Sequence, residues 1–214
     1  MKKLLIPLLL SLAAAWSCNI DGSYTAKNMN DIVIKQEHGL VSDTGLEYTV
    51  VEVYKNAPEM EMGGRYYIVF DILNNKYEIS ITQIVPVQVV NPEEAAQGEE
   101  IKAHDPIDII FNWLGNKYLD LAFYYYYDKK SDCAHDIFVR YSISNTGILN
   151  LSIYHDGADE NPSVRDIDDL KLGTRIISIP ISQWEFNAMN VTLDVLNKNA
   201  DGTYTVERKT FSNV

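Results

Sequence analysis

The sequence predicts an all-β protein: a small antiparallel barrel or half-barrel followed by an antiparallel β-sandwich. Three observations carry this. From Ile32 onward, apolar residues recur with period two rather than 3.6, the spacing of strands whose successive side chains face opposite sides. Turn residues punctuate the second half about every 8–12 positions, the rhythm of a sandwich. No segment of the chain beyond its first 18 residues shows helical periodicity over a convincing length. A hydrophobic content of 46% is enough to bury a real core.

The chain opens with Met1–Cys18, MKKLLIPLLLSLAAAWSC. Lys2 and Lys3 form a positive start, Leu4–Leu12 an apolar stretch, and Ala13-Ala14-Ala15 a small-residue zone. This is a secretory signal, too short to span a bilayer as a helix of about 20 apolar residues. A cysteine at the end of such a segment matches a bacterial lipoprotein signal. Residues 1–17 are then cleaved, and Cys18 is acylated and anchors the chain in a membrane. Ordinary cleavage after Ala13-Ala14-Ala15, leaving a soluble protein, is the alternative. Residues 18–31 are polar and small, the composition of a tether.

Residues 32–92 make the barrel. Glu47–Tyr54 is a β-rich run, and Gly63-Gly64 marks a tight turn into the next strand. There Tyr66, Ile68, Phe70 and Ile72 share one face, as do Tyr77, Ile79 and Ile81 in the strand after it. Asn74-Asn75 reads as a two-residue hairpin turn between them, because Asn tolerates positive φ. Val85–Val90 is a further run, which Pro86 pushes toward a strand start or a sheet edge. Residues 93–105 hold acidic and small residues and read as a linker. Pro92 followed by Glu93-Glu94 favours a short helix over Pro92–Gln97.

Residues 106–214 make the sandwich. Leu119, Leu121, Phe123 and Tyr125 alternate on one strand, and Ile137, Val139, Tyr141 and Ile143 on the next. Leu149, Leu151 and Ile153 follow, then Ile177, Ile179 and Ile181. Val191, Leu193 and Val195 face a last partner around Tyr204 and Val206. Asn145-Thr146-Gly147 and Asn199-Ala200-Asp201-Gly202 supply turns with positive φ.

Charge narrows the partners. The full chain carries −12, and loss of Lys2 and Lys3 on cleavage makes it −14 over 197 residues. Nucleic acid and anionic lipid surfaces repel such a protein. With Cys18 acylated, Cys133 alone remains, so no internal disulfide is expected. No cofactor is implied.

Catalytic signals are poor. His38, His104, His135 and His155 are scattered, and none has a partner at i+4. Cys133 and His135 are the raw material of a thiol nucleophile, yet so close in a turn they point apart. The loop His155–Asn161 and the run Asp166–Asp169 offer carboxylates, but their spacing fits no calcium loop, and solvated acidic loops are the ordinary reading. Neither a metal site nor an enzyme is expected.

Tyrosine is the anomaly, with 14 residues including Tyr124–Tyr127. Alternation sends Tyr125 and Tyr127 inward and leaves Tyr124 and Tyr126 outward. Exposed aromatic residues anchor protein interfaces and stack on sugar rings. Tyr124, Tyr126, Trp113 and Trp184 are therefore the candidate binding surface. The plainer alternative is that these rings cover a neighbouring sheet or domain.

Gly115–Leu121 (GNKYLDL) and Leu149–Gly157 (LNLSIYHDG), with Gly64–Val69 (GRYYIV) in the first half, resemble the NigD-like lipoproteins. That resemblance implies a lipoprotein signal, an N-terminal OB-like barrel and a C-terminal β-sandwich. It brings the name of a bacteriocin immunity protein but no catalytic residues. An OB-like barrel raises nucleic-acid binding, which the charge and the export signal oppose.

The expectation is a non-enzymatic protein of a Gram-negative cell envelope, lipid-anchored through Cys18, most simply in the outer membrane. It would be a binding or accessory module, immunity-like in one form, for an envelope protein partner. The alternative is a glycan-binding surface lipoprotein that uses the same aromatic residues.

Overall fold

A computed structural model describes residues 25–96, 101–131 and 133–212. The signal, Cys18 and residues 19–24 lie outside them. Residues 26–31 of the expected tether instead belong to a strand in which Ala26 and Asp31 are buried, because they pair with a neighbouring strand rather than staying solvated. The chain forms two compact units, divided between Val85 and Pro86.

The first unit is a closed ring of five strands: β1 (Ala26–Gln36), β2 (Gly39–Ser42), β3 (Glu47–Val53), β4 (Arg65–Ile72) and β5 (Glu78–Val89). Around the ring the order is β1-β2-β3-β5-β4 and back to β1, and β3 runs parallel to β5. This is the OB-like barrel. Period-two patterning builds its core, since Ile68, Phe70, Ile72, Ile79 and Ile81 are all buried. Closure leaves the ring without a free edge. Gly63, at φ +77°, makes the turn into β4 and donates its N–H to the Lys35 carbonyl at 2.9 Å. The buried Arg65 guanidinium forks onto both oxygens of Asp43 at 2.7 Å each, a paired charge rather than an orphan.

Two sequence expectations are corrected here. Tyr77 is not a strand residue. Asn74 Oδ1 accepts from the Lys76 N–H at 2.9 Å, and the Leu73 N–H reaches the Glu78 carbonyl at 2.8 Å, so the turn runs from Leu73 through Tyr77. The runs Ile79–Ile81 and Val85–Val90 are also not separate, because β5 carries straight through Pro86.

The second unit is the sandwich, completed by β6 (Glu93–Glu94), β7 (Asp108–Leu114), β8 (Tyr118–Asp128), β9 (Asp136–Ile143), β10 (Ile148–Asp156), β11 (Leu170–Pro180), β12 (Ala188–Lys198) and β13 (Tyr204–Ser212). One sheet is ordered β11-β8-β7, with the end of β5 pairing beside β11 at Gln88 and Val89. The other is ordered β13-β12-β10-β9-β6. Most pairs are antiparallel, but β10–β12, β6–β9 and β5–β11 are parallel. Leu119, Leu121 and Phe123 interleave with Val139, Leu151, Ile153, Ile177, Ile179, Val191 and Leu193 in one core. Removing such side chains from water is the main driving force for this unit.

The segment 93–105 carries β6, and the Ala95 N–H donates to the Tyr141 carbonyl at 3.0 Å. Glu93 and Glu94 are extended, not helical. Pro92 lacks a donor, but the pairing with β9 outweighs its preference for a first helical turn. Among the described residues there is no α-helix, only a short 3-10 turn at Ile167–Asp169.

Candidate functional site

Alternation along β8 distributes the tyrosines. Tyr125 packs against the core, while Tyr124 is 41% exposed on the outer face of the β11-β8-β7 sheet. Register places Tyr124 between Asp108 on β7 and Thr174 on β11, and Tyr126 beside Leu172, itself 51% exposed. Tyr126 is half-buried. Burial, and then the neighbouring Tyr204 and Asp108, push its phenol pKa up. Trp113, 38% exposed, lies farther along the same face opposite Asp120. Leu114, next to it, and Ile110 are also exposed on β7.

Trp184 is elsewhere. It sits between β11 and β12 with its ring 4.4 Å from that of Tyr141 and packs against the core. The candidate surface is therefore Tyr124, Tyr126 and Leu172 with Trp113 along the sheet. Leu172 was not legible as a member, because only the β8–β11 register sets it beside Tyr126. Cys18 lies outside the described residues.

At one end of the sandwich is a second cluster, buried and polar. His135 Nδ1 lies 3.0 Å from His155 Nε2, with the rings stacked at 5.2 Å between centroids. His135 Nε2 lies 3.4 Å from Glu160 Oε2, which accepts the Asp128 N–H at 2.7 Å. Asp105 Oδ2 accepts the N–H groups of Gly157 and Asp159 at 2.8 and 3.1 Å, and Asp105 Oδ1 accepts from the Asn161 amide. Tyr125 and Tyr127 wall the histidines, with ring centroids 4.9 and 6.5 Å from that of His135.

Burial first, and then neighbouring His135, hold the His155 pKa down to about 4, although Asp105 pulls the other way. His155 is therefore neutral at physiological pH. Burial raises the Glu160 pKa, but Ser131, the Asp128 N–H, Cys133 and His135 together outweigh it and leave the carboxyl below its usual range. The Cys133 thiol thus neighbours Glu160, the same carboxylate that faces His135 Nε2. His155 Nδ1 and Glu160 Oε1 are buried without a hydrogen-bond partner. Among the described residues, no three His, Cys, Asp or Glu side chains are placed to hold a metal ion.

The acidic loop is thereby explained. Its backbone donors are gathered by Asp105, a residue about fifty positions upstream, and its Glu160 holds the end of β8. Sequence spacing could not show this, because the partners meet only in the folded sandwich.

The fold and these sites define an all-β protein of two units, an OB-like ring and a sandwich whose clearest open feature is an aromatic outer face. Residues 88–207 match the NigD-like C-terminal beta sandwich domain, and the chain belongs to that family. It is similar to the solved structure of a NigD-like immunity protein from Bacteroides caccae (18% identity, TM-score 0.61, covering 88% of this chain and 98% of that one). It is also similar to a candidate lipoprotein from Bacteroides fragilis (10% identity, TM-score 0.59, 88% and 98% covered). A third similar structure, of a protein of unknown function from Bacteroides vulgatus, is 14% identical (TM-score 0.59, 86% and 90% covered). At such identities the likeness is one of fold. No curated protein matches the chain. Neither the matching family nor these structures bears the name of an enzyme.

Proposed function

We propose that the protein is a non-enzymatic, lipid-anchored protein of a Gram-negative cell envelope that presents its sandwich to a protein partner. An immunity-like or accessory role is the specific form. The observation that carries this reading is the outer face of the β11-β8-β7 sheet, where Tyr124 and Leu172 stand exposed and Trp113 lies farther along β7, beyond the buried Ala122 and Asp120. Exposed aromatic anchors of this kind supply much of the energy of protein interfaces, and apolar patches around them mark interaction sites. The lipoprotein-like start at Cys18, and the names of the relatives from Bacteroides caccae and Bacteroides fragilis, support an anchored protein with a protein partner.

A glycan platform is less well supported, because Trp184 is packed into the core and Trp113 lies apart from Tyr124 along the sheet. The test is affinity capture of the anchored protein from envelope fractions, comparing the wild type with Tyr124→Ala/Leu172→Ala. A partner held by the wild type and lost by the variant is expected. Equal capture by both overturns the role of this face. Mass spectrometry of the N-terminus checks the anchor: a diacylglyceryl group on Cys18 is expected, and a chain starting at Trp16 contradicts it.

A further inference from the structure

The OB-like unit carries a recess of about 400 Å³ lined by Met29, Asn30, Leu46, Tyr48, Phe70, Ile72 and Tyr77. Two features of its rim are unusual. Tyr77 has φ +55°, in the left-handed region that bulky residues avoid and that Gly or Asn would occupy at little cost. Its ring is 38% exposed, so core burial does not repay the strain. Strand β1, which supplies Met29 and Asn30 to the lining, bulges between Ala26 and Met29, where Asn28 takes the left-handed conformation that Asn tolerates at φ +54°. Bulges and strained residues gather where a side chain must be re-aimed at a ligand.

The strain at Tyr77 sets an aromatic wall. Tyr77 meets Tyr48 edge to face at 6.3 Å between centroids, and Tyr48 meets Phe70 at 5.0 Å. The Tyr48 hydroxyl donates to Asp31 Oδ2 at 2.8 Å, which fixes the middle ring. None of the seven lining residues is charged, and the Asn30 amide is the polar group not held in the wall.

We infer that this recess binds a neutral small molecule with a flat apolar ring, stacked on the exposed Tyr77 ring, which the buried Tyr48 and Phe70 back from behind, with Asn30 meeting one polar group. The size suits a ligand of about two rings, at the lower end of small-molecule pockets. The charge-free lining selects against ions, since burying an unpaired charge there is costly. This site is independent of the aromatic face of the sandwich.

The test is a fluorescence titration of the protein from residue 19 onward, which contains every described element, with the neutral probe N-phenyl-1-naphthylamine. Saturable binding at one site per chain is expected, with the anionic analogue 8-anilino-1-naphthalenesulfonate at least tenfold weaker. Tyr77→Gly relieves the backbone strain and removes the wall, so it should raise the melting temperature while weakening the probe about tenfold. Tyr77→Trp should retain binding, and Leu46→Trp, which fills the recess, should abolish it. Non-saturable binding overturns the inference. So does saturable binding that both Tyr77→Gly and Leu46→Trp leave unchanged while circular dichroism shows them folded.

Discussion

The sandwich contains two clusters rich in chemistry-bearing side chains, and they use their groups in opposite ways. The cluster of Asp105, His135, His155 and Glu160 is buried and spends most of its hydrogen-bonding capacity on its own loops. The face of Tyr124 and Leu172, with Tyr126 half-buried beside them, leaves apolar area uncovered. Titratable groups draw attention in a sequence, yet here they are what the fold needs. The plain hydrophobic residues on an outer face are what it does not need. Damage to the first cluster should therefore cost stability, and damage to the second should cost binding.

The largest expected effect is Asp105→Ala. Gly157 N–H, Asp159 N–H and the Asn161 amide lose their shared acceptor, so stability should fall by about 4 kcal/mol. Urea denaturation checks this, and a loss below about 1 kcal/mol would erase the contrast.

Acid should reveal the same cluster. The unfolded chain protonates His155 near its ordinary value of 6.5, whereas the folded protein keeps it neutral down to about pH 4. Between these values the unfolded state holds the extra proton. Stability is thus fully present above pH 6.5 and falls by up to about 3 kcal/mol on acidification to pH 4. Melting curves across that window, against His155→Gln as the flattened control, measure it. A pH-independent wild type would contradict the buried, neutral imidazole.

Gly157→Ala is a finer probe. A Cβ there would sit 2.7 Å from His135 Nδ1, so the stacked rings must move, at a cost of about 2 kcal/mol. The smallest effect on stability belongs to the open face: Tyr124→Ala and Leu172→Ala should each shift it by less than about 1 kcal/mol. Larger losses would mean that the face is covered within the protein.

How legible this was in the sequence depended on range. Period-two alternation correctly placed Ile68, Phe70, Leu119, Leu121, Phe123, Val191 and Leu193 in two cores, because strand alternation is a local rule. The turns at Gly63, Gly147 and Gly202 were legible for the same reason, and all three have positive φ. The Asp105–Gly157 and His135–His155 contacts were not, since they depend on which strands pair. Trp184 misleads because an aromatic residue in a connection reads as exposed, whereas this one covers the end of the core beside Tyr141. Tyr77 misleads in the other sense: its pattern says strand, and the Asn74 side chain captures it in the turn.

The most direct test of the account places a photo-crosslinking amino acid at position 124, and separately at position 192 on the outer face of the opposite sheet, where Thr192 already pairs with Thr210 at 2.8 Å. Irradiation of living cells should give a discrete crosslinked envelope protein from position 124 and none from position 192. Crosslinks from 192 alone, or from neither position at native expression, would contradict a binding role for the aromatic face.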